Sequence, residues 1–219
     1  SFAPVHGVRA LTVLRVATAP GGRVFARAIT PSSAMYRSED RAASWQQLAP
    51  LDDQPFRSFG ALFEVDPMHP ETVYAGFTEA LARSDDAGDH FAVIASPPCI
   101  FPSELAIDPS DSGNLYLSGD LRSASGCPRT GPDLCATYRK LGTSDWECID
   151  ANLPGLGLPI AAVDPFDGHV LYAWFPEVIY RSQDRGSTWT LISDVRYLSA
   201  LATDPTRPGV LYAGYLGGT

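Results

Sequence analysis

Tyr180-Arg181-Ser182-Gln183-Asp184-Arg185-Gly186-Ser187-Thr188-Trp189 is the stretch that decides the fold. It opens strand-like, breaks at Ser-x-Asp-x-Gly, and resumes with the alternating run Trp189-Thr190-Leu191-Ile192. An Asp carboxylate at such a break accepts hydrogen bonds from the backbone N–H groups of the turn. Gly supplies a backbone angle that other residues resist. The aromatic that follows is a plug between sheets, since one such ring buries roughly 150–250 Å². The segment reads as a tight hairpin, and its residues as structural rather than catalytic.

Working outward, the pattern recurs. Ser84-Asp85-Asp86-Ala87-Gly88-Asp89-His90-Phe91 is a weaker copy, and Tyr36-Arg37-Ser38-Glu39-Asp40-Arg41-Ala42-Ala43-Ser44-Trp45 is another. Tyr138-Arg139-Lys140-Leu141-Gly142-Thr143-Ser144-Asp145-Trp146 is a decayed copy without the Asp. The expected structural positions are therefore Ser38, Asp40 and Trp45; Ser84, Asp86, Gly88 and Phe91; and Ser182, Asp184, Gly186, Thr188 and Trp189. A second anchor is an apolar run ending in Asp-Pro, at Asp66-Pro67, Asp108-Pro109, Asp164-Pro165 and Asp204-Pro205. Each is followed by a second apolar run containing Tyr74, Tyr116, Tyr172 or Tyr212. Asp66 precedes Ser84 by 18 residues, and Asp164 precedes Ser182 by 18. In the third repeat Asp108 to Tyr138 spans 30 residues, where Asp164 to Tyr180 spans 16, so that repeat carries an insertion at 121–136.

Each repeat reads as four short strands, rich in Val, Leu, Tyr and Trp and punctuated by Gly, Pro and Asp. Such a unit recurring about every 40–56 residues predicts an all-β fold, a β-propeller of four-stranded antiparallel blades. The expected blades cover approximately 8–50, 59–95, 103–150, 158–193 and 197–219, the last incomplete, so about four and a half blades form one domain over 1–219. An open sheet edge invites pairing with another chain. The expectation is a portion of a longer propeller, or one completed by another chain.

The bulk composition agrees. With 219 residues, 45% hydrophobic and 19% charged, the chain is globular rather than disordered. A net charge of −9 with no basic run argues against nucleic acid and against an anionic membrane surface. No apolar run approaches the ~20 residues that span a bilayer. Ser1-Phe2-Ala3-Pro4 lacks an initiator Met and a charged-then-apolar leader, and is read as a processed or excised start. Cys99, Cys127, Cys135 and Cys148 lack the CxxC spacing of zinc sites. The favoured pairing is Cys127–Cys135 with Cys99–Cys148, four buried free thiols being the alternative. Two disulfides imply an extracellular, cell-surface or periplasmic setting.

On these motifs the chain resembles the Asp-box, or BNR, repeat family over about Leu11 to Gly214. That family includes sialidases, sortilin-type receptors, xyloglucan-cleaving glycosidases and photosystem assembly factors. The resemblance implies a fold and not an activity, since function is grafted onto folds. A meander reverses at every strand, so the Asp-Pro turns and the Ser-x-Asp turns share one face. The opposite face holds the strand two-to-three turns, with Phe77, Glu79, Asp120, Arg122, Trp174, Phe175 and Glu177 as candidate ligand-binding residues and Arg57 nearby. Rings that stack and acids that bond hydroxyls suit carbohydrate; inter-blade packing is the competing account of the rings.

The functional expectation is a secreted or cell-surface binding or scaffold module for protein or glycan. The alternatives are part of a sialidase- or xyloglucanase-like glycoside hydrolase, and a structural subunit assembling through open blade edges. No catalytic residue is assigned: Pro55-Phe56-Arg57-Ser58 is a poor match to a sialidase Phe-Arg-Ile-Pro start, and any acidic protein offers carboxylate pairs. No cofactor and no metal are expected, because His6, His69, His90 and His169 make no ligand spacing and Asp108–Asn114 reads more simply as a turn than as a calcium loop.

Overall fold

The computed structural model describes residues 13–28, 34–48, 59–77, 80–97, 99–121, 135–150, 160–175, 178–194 and 198–215. These are nearly all strand and turn; a short 3-10 turn at Pro20–Gly22 is the one helical element among them. The chain divides into two compact units, Ser1–Ala95 and Ser96–Thr219.

The first unit holds two sheets. One comprises β1 (Val13–Thr18), β2 (Val24–Ala28), β3 (Ala34–Ser38) and β4 (Gln46–Gln47). The other comprises β5 (Phe59–Val65), β6 (Val73–Phe77), β7 (Leu81–Ser84) and β8 (Ala92–Ile94). Both are antiparallel meanders in chain order. Phe25, Met35 and Leu48 of the first sheet pack with Phe63, Val73, Ala75, Phe77 and Ala82 of the second. The rings of Phe25 and Phe63 meet tilted, with centroids 5.5 Å apart, a geometry that the ring quadrupole favours.

The second unit repeats the design. Its first sheet is β9 (Ile100–Ile107), β10 (Asn114–Leu121), β11 (Thr137–Leu141) and β12 (Glu147–Cys148). Its second is β13 (Ile160–Asp164), β14 (Asp167–Phe175), β15 (Val178–Ser182) and β16 (Thr190–Ser193). A two-stranded sheet follows, β17 (Leu198–Thr203) with β18 (Leu211–Tyr215). Tyr116, Ala106 and Ile149 of one four-stranded sheet pack with Val163 and Leu171 of the next, and Trp189 closes over them. Four complete four-stranded meanders and a half-sheet make this a β-propeller fold with about four and a half blades.

One expectation is corrected here. Cys135 pairs with Cys148, with Cα atoms 6.0 Å apart, so neither Cys127–Cys135 nor Cys99–Cys148 forms. Register is the reason. Tyr138 lies opposite Cys148 where β11 meets β12, which brings the residues just before β11 alongside the end of the last strand. Asp150 reinforces the junction by accepting a hydrogen bond from Ala136 N at 2.7 Å. Cys99 is disulfide-bonded as well, while Cys127 lies outside the described residues.

Candidate functional site

Two kinds of turn occupy one end of every complete sheet. In the strand three-to-four turn, the Ser hydroxyl is the hub. Ser182 Oγ accepts from Gly186 N at 2.8 Å and donates to Asp184 Oδ1 at 2.8 Å. Asp184 then accepts from Thr188 N at 2.8 Å and from Thr188 Oγ1 at 2.7 Å. Ser84 and Asp86 repeat this with Gly88 N at 2.8 Å and His90 N at 2.8 Å. Ser38 and Asp40 repeat it with Ala42 N at 2.8 Å and Ser44 N at 2.8 Å. Two successive residues in each turn are left-handed: Arg41 and Ala42 (φ 59 and 71), Ala87 and Gly88 (58 and 90), Arg185 and Gly186 (57 and 86).

The hydrogen bonds set the charges. Those from Ser44 and Ser38 hold the Asp40 carboxyl down at about 2. Partial burial pushes Asp86 upward, but the backbone and ring of His90 and the Ser84 hydroxyl outweigh it and leave Asp86 at about 2. The same carboxylate raises His90. The decayed third turn lacks the carboxylate, and Ser144 Oγ instead accepts from Leu141 N at 3.0 Å.

The strand one-to-two turns use the Asp of Asp-Pro differently. Asp66, Asp108, Asp164 and Asp204 are all buried, and each carboxylate caps backbone N–H groups two or three residues on. Met68 N reaches Asp66 Oδ1 at 2.8 Å, Ser110 N reaches Asp108 Oδ1 at 2.9 Å, Phe166 N reaches Asp164 Oδ1 at 2.9 Å, and Thr206 N reaches Asp204 Oδ1 at 2.8 Å. In the second, third and fourth sheets the two turns are tied together by a backbone hydrogen bond. Ala87 N donates to Glu71 O at 2.8 Å, Gly142 N to Gly113 O at 3.0 Å, and Arg185 N to His169 O at 2.9 Å.

A third device was not anticipated from the sequence. Arg37 on β3 donates to Ala87 O at 2.8 Å, in the Ser-x-Asp turn of the next sheet. Arg139 on β11 does the same to Arg185 O at 2.9 Å and to Ser187 Oγ at 2.8 Å. The turn glycine faces an apolar residue of the preceding sheet: a Cβ on Gly88 would lie 2.7 Å from Leu48 Cδ1, and one on Gly186 would lie 2.6 Å from Ile149 Cδ1. Trp189 Nε1 also donates to Ile149 O at 3.3 Å. The Arg recurs in every copy of Tyr/Ala-Arg-Ser/Lys, and that recurrence was the available signal.

The opposite end of the sheets carries the candidate ligand residues, and the structure treats them unequally. Phe77 is a correction: it is 1% exposed, in the core between the first two sheets, because strand six presents all its side chains to packed surroundings. Asp120 is exposed at the end of β10, and Trp174 is half-buried near the end of β14. Both therefore stand at the far end of the second strand in neighbouring sheets of one unit. The backbone of Phe175 ends β14. Glu79, Arg122, Glu177 and Arg57 lie outside the described residues. Among the described residues, Cys135, Cys148 and Asp150 are the one cluster of ligand-type side chains, and the two sulfurs are already bonded to each other. No helix among the described residues is long and apolar enough to cross a membrane.

Fold and turn geometry together define the class: an all-β protein of the β-propeller kind. No protein-family model matches the sequence, and no curated protein matches it. Solved structures do. An ancestral GH74 enzyme is similar over 96% of this chain and 28% of its own, at 18% identity and a TM-score of 0.68. A chain of a nidogen/laminin complex is similar over 93% and 72%, at 13% identity and a TM-score of 0.62. The GH74 xyloglucanase from Xanthomonas campestris is similar over 89% and 42%, at 21% identity and a TM-score of 0.51. The chain thus spans less than half of either GH74 structure. At these identities the likeness is one of fold.

Proposed function

We propose that this chain is a secreted or cell-surface recognition module, built from Asp-box repeats of the BNR kind, that binds protein or glycan through its strand two-to-three ends. One observation carries the reading. At the other end of three of the four complete sheets the Ser and Asp side chains are spent on their own turn, and Arg37 and Arg139 lock turns to neighbouring sheets. Recognition then falls to the opposite ends, where Asp120 is exposed and Trp174 half-exposed. The Cys135–Cys148 disulfide at the base of the insertion supports an oxidising compartment. The blades 8–50, 59–95, 103–150, 158–193 and 197–219 are proposed as consecutive parts of one propeller.

The test is binding of the purified chain to a glycan array and to extracellular-matrix proteins, repeated with Trp174→Ala and Asp120→Ala. The expected result is saturable binding that falls tenfold or more in at least one variant. Binding indifferent to both substitutions overturns the site.

The second reading is part of a glycoside hydrolase, favoured by the two GH74 enzymes among the similar structures. Release of reducing sugar from xyloglucan, lost on substitution of a strand two-to-three acid, would establish it over the first.

A further inference from the structure

A third donor stands beside the two sulfurs of the Cys135–Cys148 disulfide. One ligand atom from each of Cys135, Cys148 and Asp150 lies within 4.8 Å of the other two. The strands put them there. Ile149 N donates to Thr137 O at 3.0 Å, which carries the β11–β12 pairing past Cys148. Side chains two apart on an extended strand share a side, so Asp150 follows Cys148. Asp150 is 7% exposed. Its Oδ2 accepts from Ala136 N at 2.7 Å, and Thr137 bonds the same carboxyl. Its Oδ1 is buried and has no hydrogen-bond partner among the described residues. A buried polar atom left unmatched is costly, and a closed disulfide has no proton to offer it. Cys135 is buried and Cys148 exposed, so the cluster opens to solvent on one side.

We infer that Cys135, Cys148 and Asp150 form a redox-gated site for a thiophilic divalent cation such as zinc, closed as the disulfide and competent once a dithiol has reduced it. The dithiol passes two electrons and two protons to the S–S bond and leaves as its own disulfide. The cation then displaces both thiol protons and takes the Asp150 carboxylate as its third ligand. Two thiolates with one carboxylate suit zinc, and three protein ligands leave a fourth, solvent-side position for water. Ligands at about 2.0–2.3 Å from one tetrahedral ion lie about 3.3–3.8 Å from one another. With their Cα atoms 6.0 Å apart, the two cysteines reach that spacing by side-chain rotation. Thr137 O, 3.1 Å from Cys135 Sγ, is placed to accept the proton of the free thiol, so reduction leaves this ligand in position. Ala136 N orients the carboxylate from behind, as outer-shell donors do at metal sites. The site lies at the base of the insertion, but its test reads metal alone and is separate from the recognition reading.

The probe is Co(II), titrated without oxygen into the full chain after reduction by dithiothreitol and removal of the reductant. The expected result is saturation at one equivalent, with the visible bands of a tetrahedral ion and a thiolate-to-metal band, both removed by Zn(II). The oxidised chain should show neither. Asp150→Asn keeps an acceptor for Ala136 N and should weaken Co(II) binding roughly tenfold or more. Cys148→Ser, at an exposed position, should abolish the tetrahedral spectrum while the circular dichroism of the reduced chain stays unchanged. A reduced chain that gives no tetrahedral spectrum, or that unfolds, overturns the proposal. So does equal affinity in Asp150→Asn, or a spectrum that survives Cys148→Ser, since the metal then sits on other thiols.

Discussion

The two acidic turns sit at one end of the same sheets, yet they use their carboxylates in opposite ways. Asp108, at the strand one-to-two turn, is 0% exposed and binds Ser110 N, Ser110 Oγ and Asn114 Nδ2. Its carboxylate also lies against the next sheet, since a Cβ on Gly168 would fall 2.2 Å from Asp108 Oδ2. Asp184, at the strand three-to-four turn, is exposed, and its carboxylate binds only its own turn. The difference teaches that a motif's recognisability and its energetic weight are separate matters. The Ser-x-Asp turn is the more legible motif, whereas the Asp-Pro turn holds the buried charge, and a buried polar group is costly to leave unmatched.

Substitutions should expose that asymmetry. The largest effect is expected from Asp108→Ala, which removes the partner of Ser110 N and one of the two acceptors of the buried Asn114 amide: about 2–4 kcal/mol of stability by urea denaturation. A loss no greater than that of Asp184→Ala would break the comparison. Next comes Gly186→Ala. It combines a backbone at φ 86 with a clash on Ile149, for about 1–3 kcal/mol in the same measurement. Asp184→Ala should cost only about 1 kcal/mol, since the side chain is solvated and the Ser182 hub remains. Smallest, and opposite in sign, is Ala42→Gly. Ala42 occupies the turn-glycine position at φ 71, so glycine should relieve strain and raise stability by roughly 0.5–1 kcal/mol.

Acid titration sharpens the same contrast. Asp40 and Asp86 sit at about 2 in the folded chain against an ordinary 3.8. Their folded values are depressed, so the stability they contribute is present above about 4 and is lost as pH falls toward 2. Asp150 is raised instead, chiefly by burial and against hydrogen bonds from Ala136 and Thr137. Its ionised form is the disfavoured one, so its contribution improves as pH drops through its folded value toward 3.8. Carboxyl chemical shifts followed by NMR between pH 2 and 7 should show the two turn aspartates titrating last and Asp150 first. Coincident midpoints would refute the assignment.

Reading the chain by itself went far because the turn chemistry is local. Ser182, Asp184, Gly186 and Thr188 bond within a few residues of one another, so ten letters carry the whole hairpin. Equal spacing of the Asp-Pro and Ser-x-Asp anchors then implies equal sheets, and a meander fixes which turns share an end. The Ser hydroxyl's role as hub and the burial of the Asp-Pro carboxylates were not read from the letters, although the residues were marked.

What crosses from one strand or sheet to another was decided only in three dimensions. Phe77 resembles an exposed ring at a strand end, but the neighbouring sheet supplies Phe25 and Met35 and closes over it. The sequence leaves Cys135 three possible partners and favours Cys127, but the pairing register of β11 with β12 selects Cys148. Arg37 and Arg139 look like alternating surface charges until the next sheet brings a turn carbonyl to each. Sequence determined the repeat because hydrogen bonds within a turn depend on short spacing; burial and partner choice depend on which sheet stands beside which, and packing alone settles that.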